Sequence, residues 1–164
     1  LAGETCVKIN PDVMNSEKNH GERNTALAYF LKSYKNFNNP IEEVLDVYFS
    51  QCAIEMSCVD LAKSFSFLAN DGFSIFADRQ ILSESSARRI NALMLTCGFY
   101  DEAGEFAYRV GLPGKSGVGG GVAAVMPHKF SIAVWSPELS EKGNSIKSIR
   151  ALELLTDKLS FSLF

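Results

Sequence analysis

The sequence predicts a mixed fold of α-helices and antiparallel β-strands in a domain of 164 residues. Helical periodicity dominates residues 1–99, whereas residues 100–164 contain two apolar strand patterns and a last amphipathic helix. A chain of this length can bury a substantial core. We therefore expect helices first, then a hairpin sheet, and then a helix that covers the sheet.

Two helices are predicted between residues 24 and 52 from start signals and apolar spacing. Asn24 can cap the first, and its apolar face consists of Leu27, Phe30, Leu31 and Tyr34. Asn39 can cap the second because Pro40 suits a first helical turn and Glu42 can complete a capping box. The inner face of the second helix is expected to carry Ile41, Val44, Leu45, Tyr48 and Cys52.

Two more helices follow. Ser57 and Asp60 form a capping-box pattern that predicts the start of a helix. Gly72 is expected to stop this helix. The next helix is predicted from about Ser83 to Cys97, with Gly98 as its end.

The strand predictions rest on alternation and on turn residues. Phe106, Tyr108 and Val110 alternate with smaller or polar residues as in a strand, and 111–114 is typical of a turn. Val122–Met126 and Phe130–Trp135 flank a turn at 127–129, and strands that are apolar on both faces are covered on both sides. The final helix is predicted to pack on them through Ile149, Leu152, Leu155 or Thr156, and Leu159.

The glycine-rich stretch 111–121 has a nearly bare backbone, which lets a ligand approach main-chain N–H groups. Its spacing does not match a phosphate-binding loop, because Gly111 precedes Gly114-Lys115-Ser116 by only two residues. It does not match a dinucleotide fingerprint either, because Val122 replaces the last small residue. Two alternatives remain: a tight hairpin, or a Lys-Ser-Gly strand edge like the Lys-Thr-Gly element of penicillin-recognising enzymes.

Composition excludes several classes of function. A net charge of −3 without a basic cluster argues against a nucleic-acid partner, and no apolar run is long enough to predict a membrane helix. Cysteines at 6, 52, 58 and 97 show no Cys-x-x-Cys pair, so we expect reduced thiols in a cytoplasmic protein, without a metal or another cofactor. The chain starts at Leu1 rather than at Met, as in a fragment.

Several polar residues have both a structural and a functional interpretation. The charged stretch 17–24 can be a solvated turn, Tyr48 can be a core tyrosine, and Tyr100 can be exposed in a turn after Gly98. Both histidines lie beside turn residues and have no metal-ligand spacing. Cys97 lies near the glycine-rich stretch, but no His is close to it in sequence.

Taken together, the segments resemble the serine-dependent glutaminases, which are related in fold to the β-lactamases and penicillin-binding proteins. The resemblance extends over nearly the whole chain. Its motifs are Leu1–Glu4, Ser16-Glu17, Gly21–Asn24, Asp46–Tyr48, Gly98–Asp101, Tyr108–Gly121, Trp135–Pro137 and Gly143–Ser145.

The resemblance implies a β-lactamase-like fold and the hydrolysis of L-glutamine to L-glutamate and ammonia. It implies that L-glutamine is held by Glu17, Asn24, Tyr48, Tyr100 and Val118. It also implies that Tyr100 relays a proton and that the Val118 N–H binds the oxyanion. We expect a homo-oligomer, because the strands Val122–Met126 and Phe130–Trp135 would otherwise leave an apolar edge or face open.

One family element is absent from the sequence. The nucleophile and base of the family are a Ser-x-x-Lys pair, and no lysine of this chain has a serine three residues before it. We therefore expect residues 1–164 to be the C-terminal part of one glutaminase catalytic domain, inactive alone. The alternatives are a non-catalytic regulatory or assembly fragment and a penicillin-recognising hydrolase.

Overall fold

A computed structural model describes residues 1–3 and 7–164 of the chain. Glu4 and Cys6, which the sequence-based predictions name, lie outside the described residues. The α-helices are α1 (Pro11–Asn19), α2 (Glu22–Ser33), α3 (Ile41–Cys52), α4 (Cys58–Ala69), α5 (Glu84–Cys97), α6 (Ala103–Arg109) and α7 (Ile146–Leu159). The strands are β1 (Lys8–Ile9), β2 (Ile54–Glu55), β3 (Phe73–Ser74), β4 (Arg79–Gln80), β5 (Gly114–Ser116), β6 (Gly121–Met126) and β7 (Phe130–Trp135).

The chain divides into two compact units. The smaller unit is Cys6–Met56, and the larger unit is Leu1–Thr5 together with Ser57–Phe164. In the smaller unit α1 and α2 both contact α3, while β1 and β2 form an antiparallel pair. Ala28, Ile41, Phe49 and Ala53 are its buried apolar side chains among the described residues.

Two predicted helix caps in the smaller unit are wrong. Asn24 is the third residue of α2, which begins after Gly21, and Pro40 rather than Asn39 stands before α3. Of the charged stretch 17–24, Glu17 and Lys18 lie in α1 and Glu22 and Arg23 lie in α2, and only His20 and Gly21 separate the two helices. A further helix, α1, was not predicted, although Asn10 and Pro11 give a standard start signal: the Asn10 side chain accepts hydrogen bonds from two backbone N–H groups.

The larger unit contains a three-stranded antiparallel sheet in the order β5-β6-β7. Residues of β6 alternate between two apolar clusters. Val122 and Ala124 pack with Leu152 of α7, whereas Val125 packs with Leu68 of α4 and Met94 of α5. The hairpin, its turn and the cover on both faces of the sheet are therefore as predicted, and α7 buries Leu152 and Thr156 but leaves Leu159 exposed.

The predicted strand around Phe106 is wrong, because residues 103–109 form α6. Ala103, Phe106 and Val110 are buried, whereas Tyr108 is 84% exposed. Spacings of three and four residues place the buried side chains on one helix face, and the alternating pattern that suggested a strand was coincidental. The Phe106 ring stacks on Phe99 with centroids 3.6 Å apart, which stabilises the helical register.

The helices predicted from capping signals in the larger unit are confirmed. Ser57 and Asp60 form the reciprocal capping box of α4, and Ser83 caps α5. Gly98 follows α5 directly, and a Cβ at this position would overlap the carbonyl oxygen of Gly114. The end of α5 therefore lies against β5, which fixes the chain just before Tyr100.

Candidate active site

The predicted site residues belong to both units. Glu17, Asn24 and Tyr48 are in the smaller unit, and Tyr100 and Val118 are in the larger one.

In the smaller unit, Glu17 and Tyr48 both influence the pKa of the Cys52 thiol. Cys52 is exposed overall, but partial burial of its thiol raises the pKa of Cys52, a hydrogen bond with Tyr48 lowers it and the nearby charge of Glu17 raises it. Glu17 and Tyr48 therefore both lie near Cys52. An ion pair of 2.9 Å between Lys18 and Asp46 connects α1 to α3 beside them. Tyr48 is 48% exposed, so it is not the core tyrosine of the structural interpretation.

Asn24 is half-buried on α2, which packs against α3. Within the described chain its side-chain amide makes no hydrogen bond, so its donors and its acceptor are available to a ligand.

Tyr100 has a left-handed backbone conformation, with φ of 52°, at the start of a 3₁₀ turn over residues 100–102. A non-glycine residue in this region carries strain of about 1–3 kcal/mol, which the surrounding structure must offset. Its predecessor Phe99 is fully buried against Phe106, and the Ser116 N–H of β5 donates to the Gly98 carbonyl at 3.1 Å. The core thus fixes the backbone at this point, while the Tyr100 side chain remains 48% exposed.

Lys115 lies against Tyr100. Its Nζ is 4.6 Å from the centre of the tyrosine ring, and the same Nζ donates to the Ser116 carbonyl. Crowding by protein around Nζ lowers the pKa of Lys115, and no carboxylate of the described residues forms an ion pair with it. Lys115 is not among the site residues that the sequence predicts. The only sequence signal for it is its place in the Lys-Ser-Gly motif of the glycine-rich stretch.

Val118 occupies the turn between β5 and β6. The Gly120 N–H donates to the Gly117 carbonyl at 2.9 Å, and Trp135 Nε1 donates to the Gly119 carbonyl at 2.8 Å. Gly120 has φ of 91°, and a Cβ there would clash with the Ser136 carbonyl. The turn is thereby held in one conformation. Val118 is 59% exposed, and its N–H has no hydrogen-bond acceptor in the described part of the chain.

A surface cavity of about 550 Å³ lies elsewhere in the larger unit, between α4 and the turn that joins β6 to β7. None of the predicted site residues lines it. The described residues contain no group of His, Cys, Asp and Glu that could hold a metal ion. Nor does any helix among them have the length and apolar character needed to cross a membrane.

Comparison with known proteins decides the family. The model of the family described as Glutaminase matches residues 1–164. The chain belongs to the glutaminase family. It is 52% identical over 164 residues to a glutaminase of Vibrio vulnificus (strain YJ016) and 56% identical to one of Proteus mirabilis. All of this chain is matched, but only 54% and 53% of those two relatives, so the chain spans about half the length of the curated relatives.

Solved structures agree with this assignment. A Bacillus subtilis glutaminase in covalent complex with 5-oxo-L-norleucine has a TM-score of 0.91 and 36% sequence identity. The match covers 98% of this chain and 57% of that glutaminase. A second Bacillus subtilis structure, of a probable glutaminase, gives a TM-score of 0.90 and 35% identity over 96% of this chain and 54% of its own. The fold is therefore that of the glutaminases, with the β-lactamase-like architecture that the sequence predicted.

Proposed function

We propose that this chain supplies the substrate-binding and proton-transfer residues of an L-glutamine amidohydrolase. The observation that carries the proposal is the glutaminase family match over all of residues 1–164. In this proposal residues 1–164 are the C-terminal part of one catalytic domain. The serine nucleophile and its lysine stand in a segment outside these residues, and we call the chain together with that segment the assembled enzyme.

Recognition of L-glutamine follows from the chemistry of the candidate residues. Free glutamine carries an α-ammonium, an α-carboxylate and a side-chain amide. Glu17 pairs with the ammonium, and Asn24 and the Tyr48 hydroxyl donate to the carboxylate. Two observations support these roles: Glu17 and Tyr48 both lie near Cys52, and the Asn24 amide has no hydrogen-bond partner among the described residues.

Hydrolysis proceeds in two acyl-transfer steps. The serine oxygen attacks the side-chain amide carbon, the C–N bond breaks, and ammonia departs with a proton relayed by Tyr100. Water then attacks the resulting ester, which releases L-glutamate and restores the serine. The Val118 N–H donates to the oxyanion in both steps, and one such donor is typically worth about 100-fold to 1,000-fold in rate. The Val118 N–H, which has no hydrogen-bond acceptor in the described residues, supports this role.

A related glutaminase supports a covalent mechanism. The Bacillus subtilis structure is a covalent complex formed by reaction with 6-diazo-5-oxo-L-norleucine. In this reagent a diazomethyl ketone replaces the side-chain amide of glutamine. The 5-oxo adduct keeps the ketone and has lost dinitrogen, so the new bond is to the carbon that carried the diazo group, and a nucleophile of that glutaminase lies beside the position of the amide.

Ammonia release tests the proposal. We expect the assembled enzyme to release ammonia and L-glutamate in equal amounts from L-glutamine and far less from L-asparagine, whereas the 164-residue chain alone is inactive. An assembled enzyme without glutaminase activity would overturn the proposal.

The alternatives have their own tests. The Lys-Ser-Gly edge in β5 favours a penicillin-recognising hydrolase, which would turn over a chromogenic β-lactam. The absence of a Ser-x-x-Lys pair favours a non-catalytic fragment, which would leave the glutaminase activity of the accompanying segment unchanged when removed.

We also propose that the enzyme is cytoplasmic and forms a homo-oligomer. Cys52, Cys58 and Cys97 are free thiols among the described residues, as in reducing compartments. An apolar stripe on α2 and its C-cap residue is exposed within the described chain and supports self-association: Leu27, Phe30, Leu31 and Tyr34. Sedimentation that gives a monomer at micromolar concentration would contradict the oligomer.

A further inference from the structure

Asn144 is a fully buried amide that contacts both sides of Tyr100. Its Nδ2 donates to the Phe99 carbonyl at 3.2 Å and to the Glu102 carboxylate at 2.5 Å. The Glu102 N–H in turn donates to the same Phe99 carbonyl at 2.9 Å. One side chain therefore bonds to the residue before Tyr100 and to the end of its 3₁₀ turn.

The loop that carries Asn144 is itself held to this cluster. The Ser140 hydroxyl donates to the Glu102 carboxylate at 3.2 Å, and the Ser140 N–H donates to the Asn144 carbonyl at 2.7 Å. Leu139 and Ser145 form an isolated antiparallel bridge across the loop. Asn144 is thus held by bonds within its own loop, and the loop is also tied to the Tyr100 turn through Glu102.

The chemistry of the neighbours fixes the orientation of the amide. Both groups that face Nδ2 are acceptors, a backbone carbonyl and a carboxylate, so the opposite orientation would set Oδ1 against them. Oδ1 has no hydrogen-bond partner in the described residues, although it is buried. A buried acceptor without a partner destabilises the fold. The two hydrogen bonds that Nδ2 donates are therefore the structural contribution of this side chain.

We propose that Asn144 is a positioning residue that holds Tyr100 in its strained left-handed conformation through the Phe99 carbonyl and the Glu102 carboxylate. It makes no contact with the reacting atoms. The inference rests on the proposed role of Tyr100 and adds the residues that fix it. A small displacement of a reacting group can cost about 100-fold in rate, so the kcat of the assembled enzyme depends on this clamp.

Asn91 provides a matched control. It is also buried, its Nδ2 donates to one backbone carbonyl, that of Leu68, at 2.9 Å, and its Oδ1 also lacks a partner in the described residues. It lies in α5 and has no hydrogen bond to the Tyr100 turn. We expect Asn144→Ala to lower kcat about 10-fold to 100-fold and Asn91→Ala to change it little, although both lower Tm. Equal kcat losses in the two variants would overturn the proposal.

A second variant separates hydrogen-bond donation from shape. Asn144→Asp keeps the volume but sets a carboxylate against Glu102 and the Phe99 carbonyl, so we expect a kcat loss at least as large as in Asn144→Ala. If Asn144→Asp retained the parent kcat, the donors would be unnecessary and the inference would be wrong.

A double-mutant cycle with Tyr100→Phe distinguishes this inference from the proposed function. We expect Asn144→Ala to reduce kcat far less in the Tyr100→Phe background than in the parent, because it acts through the Tyr100 hydroxyl. Multiplicative losses would overturn the inference and leave the role of Tyr100 standing. A parent-like kcat in Tyr100→Phe alone would instead overturn the role of Tyr100.

Hydrogen exchange adds a readout that does not need activity. The Glu102 N–H is bonded to the Phe99 carbonyl, so we expect its exchange to accelerate in Asn144→Ala and to remain unchanged in Asn91→Ala. Unchanged exchange in both variants would contradict a clamp on this turn.

Discussion

The Lys115 ammonium lies 4.6 Å from the centre of the Tyr100 ring, on a strand that also bonds to the end of α5. A cation over an aromatic face is attracted to the ring. The contact joins two sequence motifs that are separate along the chain, the Gly-Phe-Tyr-Asp turn and the Lys-Ser-Gly edge. Lys115 thereby restrains the Tyr100 ring.

Tyr100→Phe should lower kcat of the assembled enzyme by about 100-fold to 10,000-fold. The change retains the ring, and with it the contact with Lys115, but removes the hydroxyl that relays the proton. Steady-state kinetics with L-glutamine measure the effect. If Tyr100 only binds substrate, KM rises and kcat stays within a few-fold of the parent, which would exclude the relay.

Lys115→Met should lower kcat by about 2-fold to 30-fold, because it removes the charge over the Tyr100 ring while it keeps an unbranched side chain. Lys129→Met is the matched control, since the Lys129 Nζ lies 4.1 Å from the centre of the Phe161 ring in the same unit. The control should lose stability without loss of kcat. Similar kcat values for the two variants would show that the charge of Lys115 does not act on Tyr100.

Glu17→Gln should raise KM for L-glutamine about 30-fold, which corresponds to the loss of a charge-assisted contact of roughly 2 kcal/mol. The side chain keeps its size but no longer pairs with the α-ammonium. Glu42→Gln, which neutralises an exposed carboxylate in the first turn of α3, serves as control and should leave KM unchanged. An unaltered KM in Glu17→Gln would show that Glu17 is a solvated surface residue that does not bind the substrate.

Glu153 should make the stability of the chain sensitive to acid. Hydrogen bonds with Arg109, at 2.6 Å, and Arg150, at 2.8 Å, lower the pKa of Glu153 from 4.5 to about 2. A folded-state pKa below the unfolded value stabilises the fold above pH 4.5, and this stabilisation is lost as the pH falls towards 2. We expect Glu153→Gln to lower Tm at pH 7 and the difference from the parent to shrink towards pH 2.

The exposed pair of Glu84 and Arg88, separated by 3.6 Å, is the control for that titration. Glu84→Gln should change Tm little at any pH, because exposed ion pairs contribute little. A Tm difference for Glu153→Gln that is constant from pH 7 to pH 2 would contradict the linkage.

Local signals predicted much of the fold. Ser57 with Asp60, Ser83 and Gly98 marked helix ends correctly, whereas the same kind of local signal failed at Asn24 and Asn39. Alternation at Phe106 misled because a helix of seven residues is too short to show its period clearly, and its register depends on stacking with Phe99. Such tertiary contacts have no sequence signature.

Some residues of the candidate site could be predicted from the sequence, and others could not. The resemblance supplied Glu17, Asn24, Tyr48, Tyr100 and Val118, and their roles stay predictions. Periodicity would have left most of them as solvated or core residues. Neither source indicated the clamp by Asn144, because it joins residues that are 45 and 42 positions apart and becomes visible only in the folded chain.

Covalent labelling with 6-diazo-5-oxo-L-norleucine tests the central claim most directly, namely that this chain binds glutamine while another segment carries the nucleophile. After reaction of the assembled enzyme, peptide mass spectrometry should find the adduct on the serine of the Ser-x-x-Lys segment and on no peptide of residues 1–164. Excess L-glutamine should protect that serine, and Glu17→Gln should slow its labelling. An adduct on Ser116 or on any other residue of this chain would contradict the account.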